Sequence, residues 1–428
     1  MSKRIRIGML GFGTVGTGAY RMLLDNQSAI FRKVGLEIEV VRIGIRDADK
    51  ERSLAAELFT TDLQSIVDDP SIDVILELIG GVDPAADLVE RAINNGKHVV
   101  TANKELIAKH GSRLVHLARA KGLDLHFEAA VGGGIPLIQP LKHQLAGNDV
   151  LKMMGILNGT TNYILTKMEE EECDFDVALA EAQSKGYAES DPTNDVEGID
   201  TSYKISILAS IAFGKQVPVE QVHKEGITRI SATDIEYARS WGFTIKLLGI
   251  VDAVKPDEIC VRVHPAMIAE THPLASVNGV YNALWLNGDF VGDVMFSGRG
   301  AGSDPTGSAV IGDLIDVGRN IVAGGAGSAI PYDTGMKMVP IDEMETAYYL
   351  RLIVEDRPKT LGEISMVFGA HEVSISEMQM RTLPNNQGEI VFLTHRAPER
   401  SLRQSVQEVA ALSAVAEVAC IIRVEDKL

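Results

Sequence analysis

The chain of 428 residues is poor in cysteine and has no long apolar run and no cluster of basic residues. Its cysteines, Cys173, Cys260 and Cys420, are odd in number and far apart, which predicts neither a disulfide framework nor a zinc site. No apolar stretch reaches the roughly 18 residues that a membrane helix needs. The N-terminal MSKRIRIGMLGFG also lacks the apolar core and cleavage site of a signal peptide. We therefore expect a cytoplasmic protein that has no membrane partner.

The formal net charge of −18 argues against nucleic acid as a partner, because binding to phosphates needs a basic patch. An anionic ligand would have to be held locally, by helix N-termini and single lysines. Hydrophobic residues make up 45% of the chain and charged residues 23%, which is typical of folded globular proteins. At about 150 residues per domain, the length predicts two or three domains.

The first third of the sequence alternates short β-branched runs with helical patterns, which is typical of a parallel sheet built from βαβ units. The predicted strands are 5–10, 37–45, 73–78, 98–101 and 123–128. Helices are predicted near 14–27, 51–59, 84–95 and 104–121. This α/β pattern indicates an N-terminal Rossmann domain over residues 1–130.

A glycine-rich hinge, AVGGGIP (130–136), ends that pattern, and a second domain of α+β type follows over 131–323. Its predicted elements are helices at 137–146, 160–170, 174–185, 199–213 and 305–322 and a strand at 258–268. We expect the long helix 305–322 to return to the Rossmann domain. Residues 324–346 read as a linker, and 347–428 has the βαββαβ order of a ferredoxin-like unit.

The stretch GMLGFGTVGTGAY places Gly11-x-Gly13-x-x-Gly16 between a predicted strand and a predicted helix. Such glycines allow a tight turn and close approach of a pyrophosphate to a helix N-terminus, although the same spacing also occurs in purely structural turns. The second strand ends at VRIGIRDADK, where Arg46 would favour the 2′-phosphate of NADP and Asp47 the ribose hydroxyl of NAD, with Lys50 close behind. The sequence favours NADP and leaves NAD open.

Two lysines are candidate catalytic residues. Lys104 begins a predicted helix directly after a strand, at the edge of the sheet where ligands bind and where the helix dipole disfavours a cation. Lys204 ends the acidic stretch GYAESDPTNDVEGIDTSYK and lies one helical turn after Asp200, at the start of an apolar helix. By themselves, both patterns also fit solvated lysines and a surface ion pair.

Two loops offer ligand groups. EAAVGGGIP (128–136) combines the carboxylate of Glu128 with a glycine bend that turns carbonyl oxygens inward, which suits a hard cation or only a hinge. LNGTTNYIL (157–165) brings N–H groups, hydroxyls and an amide to a helix start, which suits a carboxylate or phosphate or only a capping turn.

Seven motifs occur together in one order over roughly residues 1–322. They are GFGTVG, TANKELIA, EAAVGGGIPLI, NGTTNYIL, GYAESDPTNDVEGIDTSYK, HPLASVNGVYNAL and GRGAGSDPTGSAVIGDL. This set resembles the homoserine dehydrogenase family, and the tail resembles an ACT domain, the amino-acid-sensing regulatory module. With no aspartate kinase segment before residue 1, the resemblance is to the monofunctional bacterial form.

The resemblance implies reversible NAD(P)-dependent hydride transfer between L-homoserine and L-aspartate 4-semialdehyde, in threonine and methionine biosynthesis. By the same resemblance, Lys204 exchanges a proton with the substrate oxygen, and Lys104 lies beside nicotinamide and substrate. Glu189 holds the substrate ammonium alongside Gly186, and Asp200 joins the hydrogen bonds to the substrate.

The resemblance also implies NADP or NAD as cofactor, a monovalent cation (sodium or potassium), and a homodimer or homotetramer. The cofactor-binding residues implied are Gly11, Phe12, Gly13, Thr14, Val15, Gly16, Arg46, Gly80, Lys104 and Gly302. The cation residues implied are Glu128, Val131, Gly133 and Ile135, acting largely through backbone carbonyls.

The tail departs from one family pattern. Effector-binding ACT domains commonly carry glycine in the turn D-R-P-G, and this chain has Lys359 at that place. A side chain there could obstruct an amino-acid effector, so feedback by threonine through this domain is left open, as is a role in self-association.

Two other functions are compatible with parts of the sequence. Aspartate-semialdehyde dehydrogenase shares the substrate but needs a nucleophilic cysteine, and the acidic neighbours of Cys173 disfavour a thiolate. A non-catalytic sensor of nucleotide and amino acid would instead use the ACT domain as its working part.

Overall fold

The computed structural model describes residues 3–47, 56–327 and 335–425. They form two compact units that interleave along the chain. The first unit is drawn from residues 1–151, 203–220 and 282–336, and the second from 152–202, 221–281 and 337–428. Within the described ranges, no helix is both long enough and apolar enough to cross a bilayer.

The secondary structure up to residue 142 alternates strands and helices. The strands are β1 (Lys3–Leu10), β2 (Leu36–Gly44), β3 (Phe59–Thr60), β4 (Val74–Glu77), β5 (His98–Thr101) and β6 (Leu125–His126). The helices are α1 (Thr14–Val34), α2 (Leu63–Asp68), α3 (Ala85–Asn94), α4 (Lys104–Ala120) and α5 (Ile138–Lys142).

The central and C-terminal segments are mixed. Between residues 150 and 323 they are β7 (Val150–Ile156), α6 (Gly159–Glu171), α7 (Phe175–Ser184), α8 (Thr193–Val196), α9 (Ile199–Ala212), β8 (His223–Lys224), α10 (Ala232–Ser240), β9 (Phe243–Lys255), β10 (Glu258–Ala269), β11 (Tyr281–Gly288), β12 (Gly292–Arg299) and α11 (Ser303–Ala323). The tail contains β13 (Lys337–Met338), β14 (Glu345–Glu355), α12 (Thr360–Ala370), β15 (Ile375–Leu383), β16 (Gln387–Thr394), β17 (Ala397–Pro398), α13 (Glu399–Ala410) and β18 (Val415–Glu425).

The first unit is built on a parallel sheet of order β3-β2-β1-β4-β5-β6, which confirms the predicted Rossmann architecture. Apolar side chains of β1 alternate with residues on its other face, and Ile5, Ile7 and Met9 are all fully buried. Because the strands are parallel, the ends of β1, β4 and β5 share one edge of the sheet.

Helix α11 packs in the same core as α1 and the sheet. The helices approach closely because glycine lies at the contact: a Cβ added at Gly307 would lie 2.6 Å from the backbone nitrogen of Ala19. Val310, Leu314 and Val317 on α11 are fully buried in this core. The helix expected at 305–322 thus packs on the elements of the predicted Rossmann domain.

Several local predictions differ from the structure. Of the helix predicted at 51–59, residues 51–55 lie outside the described part of the chain, and the rest is wrong. Residues 56–58 form a single 3₁₀ turn, and Phe59 begins a strand that pairs with Ile43 of β2. Helix α2 was not predicted, because it has only six residues. Its N-terminus is capped by Asp62, which accepts a hydrogen bond from the Ser65 N–H.

The second unit has a continuous sheet of order β7-β9-β10-β18-β14-β16-β15. Its C-terminal part has the predicted βαββαβ order, with α12 and α13 packed on a core that includes Leu352, Phe368 and Leu402. The last strand, β18, is antiparallel to β14 and parallel to β10. The ferredoxin-like tail therefore shares one hydrogen-bonded sheet with β7, β9 and β10.

A buried ion network lies where β18 meets β10. The guanidinium of Arg262 is 2% exposed and donates to Asp252 (2.5 Å) and to Glu425 (2.6 Å). Lys152 also donates to Glu425, at 2.8 Å. Burial by itself would raise the pKa of Glu425, but Arg262 and Lys152 lower it well below the ordinary value.

Candidate active site

The glycine loop between β1 and α1 is shaped for close approach of a ligand. Gly11 has φ of +106°, and a Cβ there would lie 2.6 Å from the carbonyl oxygen of Leu78. Gly16 is buried, and its Cβ would lie 2.6 Å from the oxygen of Gly11. Gly13 is the N-cap of α1 and is exposed, and no side chain caps the helix there. The loop thus presents the N–H groups of a helix N-terminus, which suits a pyrophosphate.

The other predicted cofactor residues of the first unit lie after strand ends or helix starts. Arg46 and Asp47 are exposed and follow β2, while Lys50 lies outside the described residues. Gly80 follows β4 with φ of +73°, and Gly302 precedes α11 with φ of +126°. The remaining loop residues, Phe12, Thr14 and Val15, lie at the start of α1 and are half-buried or exposed.

The loop is tied to α11 and to its own sheet. The hydroxyl of Ser303, the residue after Gly302, donates to the carbonyl of Thr14 at 2.9 Å. The Gly11 N–H donates to the carbonyl of Gly44 at 3.0 Å, which links the ends of β1 and β2. These bonds fix the backbone that would hold the phosphates.

Lys104 is the first residue of α4, directly after β5, and is half-buried. The preceding Asn103 caps the helix, because its side-chain oxygen accepts the Leu106 N–H at 3.1 Å and its amide donates to the Gly81 carbonyl at 2.5 Å. Nearby, the buried Glu77 accepts the Thr101 hydroxyl at 2.6 Å, and burial raises its pKa. These hydrogen bonds therefore fix the end of β5 and the start of α4, between which the chain leads to Lys104.

Lys204 lies on α9, one turn after the buried Asp200, and is half-buried itself. Leu208 and Ile211 on the same helix are buried, which agrees with the apolar helix expected after Lys204. Lys204 is therefore less exposed to solvent than the lysine of an ordinary surface ion pair.

Side chains of α6 and α7 hold the acidic loop of the second unit. The Thr160 hydroxyl donates to the Tyr187 carbonyl at 2.6 Å, next to the exposed Gly186. Gln183 donates to the Glu189 carbonyl at 3.1 Å, and the Glu189 side chain is exposed. The loop thus holds the Glu189 backbone while its carboxylate faces solvent.

The amide of Asn158 was not identified by the sequence patterns as a link between carboxylates. It donates to Asp195 at 2.7 Å and to Asp200 at 2.8 Å. The motif NGTTNYIL was the available signal, but it indicated a ligand or a cap rather than this bridge.

The predicted cation residues lie on a tight bend of the first unit. Both oxygens of the Glu128 carboxylate are hydrogen-bonded, because they accept the N–H groups of Leu137 (2.6 Å), Ile138 (2.8 Å) and Gln139 (2.7 Å) at the start of α5. Burial raises the pKa of Glu128. Its side chain therefore stabilises the bend.

Val131, Gly133 and Ile135 are buried on that bend. A Cβ at Gly133 would lie 2.5 Å from the backbone of Gly300, so two chain segments nearly touch there. Among the described residues, no cluster of three or more His, Cys, Asp or Glu side chains could hold a metal. A cation at this bend would depend on backbone carbonyl oxygens, which are hard ligands.

The turn that begins helix α12 contains Lys359. This residue has φ of +82°, in the left-handed region that favours glycine. It lines a cavity of about 190 Å³ together with Val354, Met380 and Ile390. The side chain stands in the turn where the family pattern has glycine.

The cysteines do not fit a nucleophile. Burial and the neighbouring Glu171 raise the pKa of Cys173. Burial also raises the pKa of Cys260 and Cys420, both of which lie in the protein interior. The pKa is lowered in none of the three thiols, as activation to a thiolate would require.

Comparison with known proteins gives matches along the whole chain. Residues 11–128 match the family model "Homoserine dehydrogenase, NAD binding domain", residues 136–315 match "Homoserine dehydrogenase", and residues 348–414 match "ACT domain". A homoserine dehydrogenase of Synechocystis sp. is 44% identical over 98% of this chain and 99% of its own. One from Bacillus subtilis is 39% identical over 99% of each chain.

Solved structures agree with these matches. The crystal structure of a homoserine dehydrogenase from Thiobacillus denitrificans has a TM-score of 0.94 at 43% identity, covering 99% of both chains. A hyperthermophilic archaeal homoserine dehydrogenase in complex with NADPH has a TM-score of 0.64 at 27% identity, over 74% of this chain and 98% of its own.

Proposed function

The chain belongs to the homoserine dehydrogenase family, and on that premise we propose how its residues carry out the reaction. It is an NAD(P)-dependent oxidoreductase that transfers hydride between L-homoserine and L-aspartate 4-semialdehyde, with a C-terminal ACT domain. When bound, the reduced nicotinamide cofactor would supply the hydride for reduction of the aldehyde. The residue assignments that follow are our proposal.

Lys204 is the acid and base of the reaction. Negative charge develops on the aldehyde oxygen as hydride arrives, so a nearby donor must stabilise the oxygen and then give it a proton. The observation that carries this assignment is the position of the half-buried Lys204 one turn after the buried Asp200. Lys104 assists beside the nicotinamide, because its helix starts at the ligand-binding edge of the sheet.

The amino-acid end of the substrate is bound by the acidic loop. The exposed carboxylate of Glu189 takes the ammonium group, Gly186 lies beside it, and Asp200 adds a hydrogen bond. In the opposite direction, Lys204 would remove the proton from the homoserine hydroxyl while the hydride on its carbon passes to the oxidised nicotinamide cofactor.

NADP is the preferred cofactor in this proposal, because the exposed Arg46 follows β2 where a 2′-phosphate would lie. Gly11, Gly13 and Gly16 hold the pyrophosphate. The backbone carbonyls of Glu128, Val131, Gly133 and Ile135 hold a monovalent cation, sodium or potassium. We also propose a homodimer or homotetramer in the cytoplasm, as the sequence resemblance implies.

The decisive experiment measures reduction of NADP⁺ and NAD⁺ by the purified protein with L-homoserine at mildly alkaline pH. We expect turnover that requires homoserine and is faster with NADP⁺. Lys204→Ala should lower kcat by about three orders of magnitude while cofactor binding, measured by nicotinamide fluorescence, is retained. Normal turnover by Lys204→Ala would refute the assignment of this lysine.

The sensor alternative predicts a different outcome. A folded protein that binds NADPH but never turns over homoserine with either cofactor would support a non-catalytic role. Aspartate-semialdehyde dehydrogenase activity is disfavoured, because none of the cysteines has the lowered pKa of a nucleophile.

A further inference from the structure

Asn158 combines two tasks at the start of α6. Its side-chain oxygen accepts the Thr161 N–H at 2.9 Å and the Thr161 hydroxyl at 3.1 Å, which makes it the N-cap of the helix. Its side-chain nitrogen donates to Asp195 at 2.7 Å and to Asp200 at 2.8 Å. The residue is only 5% exposed, so both polar atoms of its side-chain amide make their hydrogen bonds within the protein.

The two acceptors come from different segments of the second unit. Asp195 belongs to the short helix α8, and Asp200 lies in the first turn of α9. Asp200 is 5% exposed, and a buried carboxylate needs donors to keep its charge. A neutral amide can stand between two carboxylates and donate to both, whereas each carboxylate repels the other.

Substitutions can separate the capping of α6 by Asn158 from its hydrogen bonds to Asp195 and Asp200. Asparagine, aspartate and serine cap helices about equally well. Aspartate has no donor when ionised, and serine has one donor on a shorter side chain. Capping therefore does not require an amide, whereas donating hydrogen bonds to two carboxylates does require one.

We propose that Asn158 is a positioning residue for the amino-acid substrate. It holds the carboxylate of Asp200 in the orientation used for substrate binding and ties α8 to the start of α9, the helix that carries Lys204. This inference rests on the proposed function through the role assigned to Asp200.

The test compares three variants by steady-state kinetics and thermal unfolding. Asn158→Ser keeps a cap and loses the bridge, so kcat/KM for homoserine should fall about ten-fold or more, with KM for NADP⁺ unchanged within about two-fold. Asn158→Asp should be at least as impaired, because a third carboxylate replaces the donor. Asn158→Ala should show the same kinetic loss as serine together with a lower Tm, because it also loses the cap.

A double-mutant cycle addresses the route of the effect. If Asn158 acts through Asp200, then Asn158→Ser should cost much less kcat/KM in an Asp200→Asn background than in the parent protein. Equal losses in both backgrounds, or a normal kcat/KM in Asn158→Ser, would overturn the inference.

If the single variants fold poorly, a double variant that exchanges Asn158 and Asp200 still tests the bridge. Asn158→Asp with Asp200→Asn keeps the cap and one donor–acceptor pair, so it should unfold closer to the parent than Asn158→Asp alone. No recovery of Tm would count against the bridge. Failure of the proposed function would appear separately, as a parent protein without homoserine-dependent turnover, and failure of the role assigned to Asp200 would appear as a normal kcat/KM in Asp200→Asn.

Discussion

Replacing Glu425 with glutamine should destabilise the second unit more than loss of an ordinary ion pair. The structure gives the size of the effect: Arg262 is 2% exposed and Glu425 7% exposed, so the variant leaves a buried guanidinium short of one negative partner. Complete loss of a buried partner costs about 3–5 kcal/mol. Asp252 stays within 2.5 Å of Arg262, and glutamine can still accept a hydrogen bond, so we expect about 2–3 kcal/mol.

The assay is urea unfolding followed by fluorescence of Trp241, whose ring lies 6.1 Å from that of Tyr349 in the second unit. Trp285 is replaced by phenylalanine in parent and variant alike, so that the signal comes from this unit. The control is Glu258→Gln, which removes the ion pair with the exposed Lys255 and should cost under about 0.5 kcal/mol.

The pH dependence supplies a second check. Because the pKa of Glu425 is lower in the folded state than in the unfolded state, its stabilisation is present above the unfolded pKa and is lost as the pH falls toward the folded value. The deficit of Glu425→Gln should therefore shrink under acid conditions. A loss of less than about 0.5 kcal/mol in the free energy of unfolding at neutral pH would refute the inference that these charges stabilise the contact between β18 and β10.

Three further predictions concern the glycine loop, a buried lysine and the ACT turn. Gly11→Ala should weaken NADPH binding about ten-fold or more, measured by fluorescence titration, whereas Gly35→Ala, with φ of +71° and no atom near its Cβ, should lower Tm only. Burial lowers the pKa of Lys246 to about 8, so the unfolded state binds more protons than the folded state above that pH. The free energy of unfolding in urea should therefore rise between about pH 8 and 10.5. Lys246→Met should flatten this rise, whereas the control Lys224→Met, at an exposed position, should not. Lys359→Gly should raise Tm slightly, by relief of about 1 kcal/mol of backbone strain, and a decrease in Tm would show that the left-handed turn is not strained.

The sequence was sufficient for features that depend on local pattern. The β1–Gly11–α1 unit was predicted because strand period, glycine spacing and helix pattern lie within about twenty residues. The fold class and the family could be predicted because seven motifs occur in one order, and the family models confirm both. The roles of Lys104, Lys204 and the acidic loop stay predictions.

Features that depend on contacts between distant segments could not be predicted. The bridge from Asn158 to Asp195 and Asp200 joins residues about forty positions apart, and no periodicity encodes it. The error at 56–59 has a similar cause, since pairing with β2 decides that Phe59 is in a strand. The capping of α5 by the Glu128 carboxylate was missed because the same glycine-rich bend also suits a cation.

The place of β18 in the sheet has a consequence for synthesis of the chain. A ribosome releases β10 long before β18, so the part of β10 that pairs with β18 lacks this partner until Glu425 has emerged. Arg262 then lacks Glu425, its partner 163 residues later in the sequence. The last strand of the ACT domain therefore completes the sheet, and chains that stop early should expose an apolar edge that quality-control proteases and chaperones recognise.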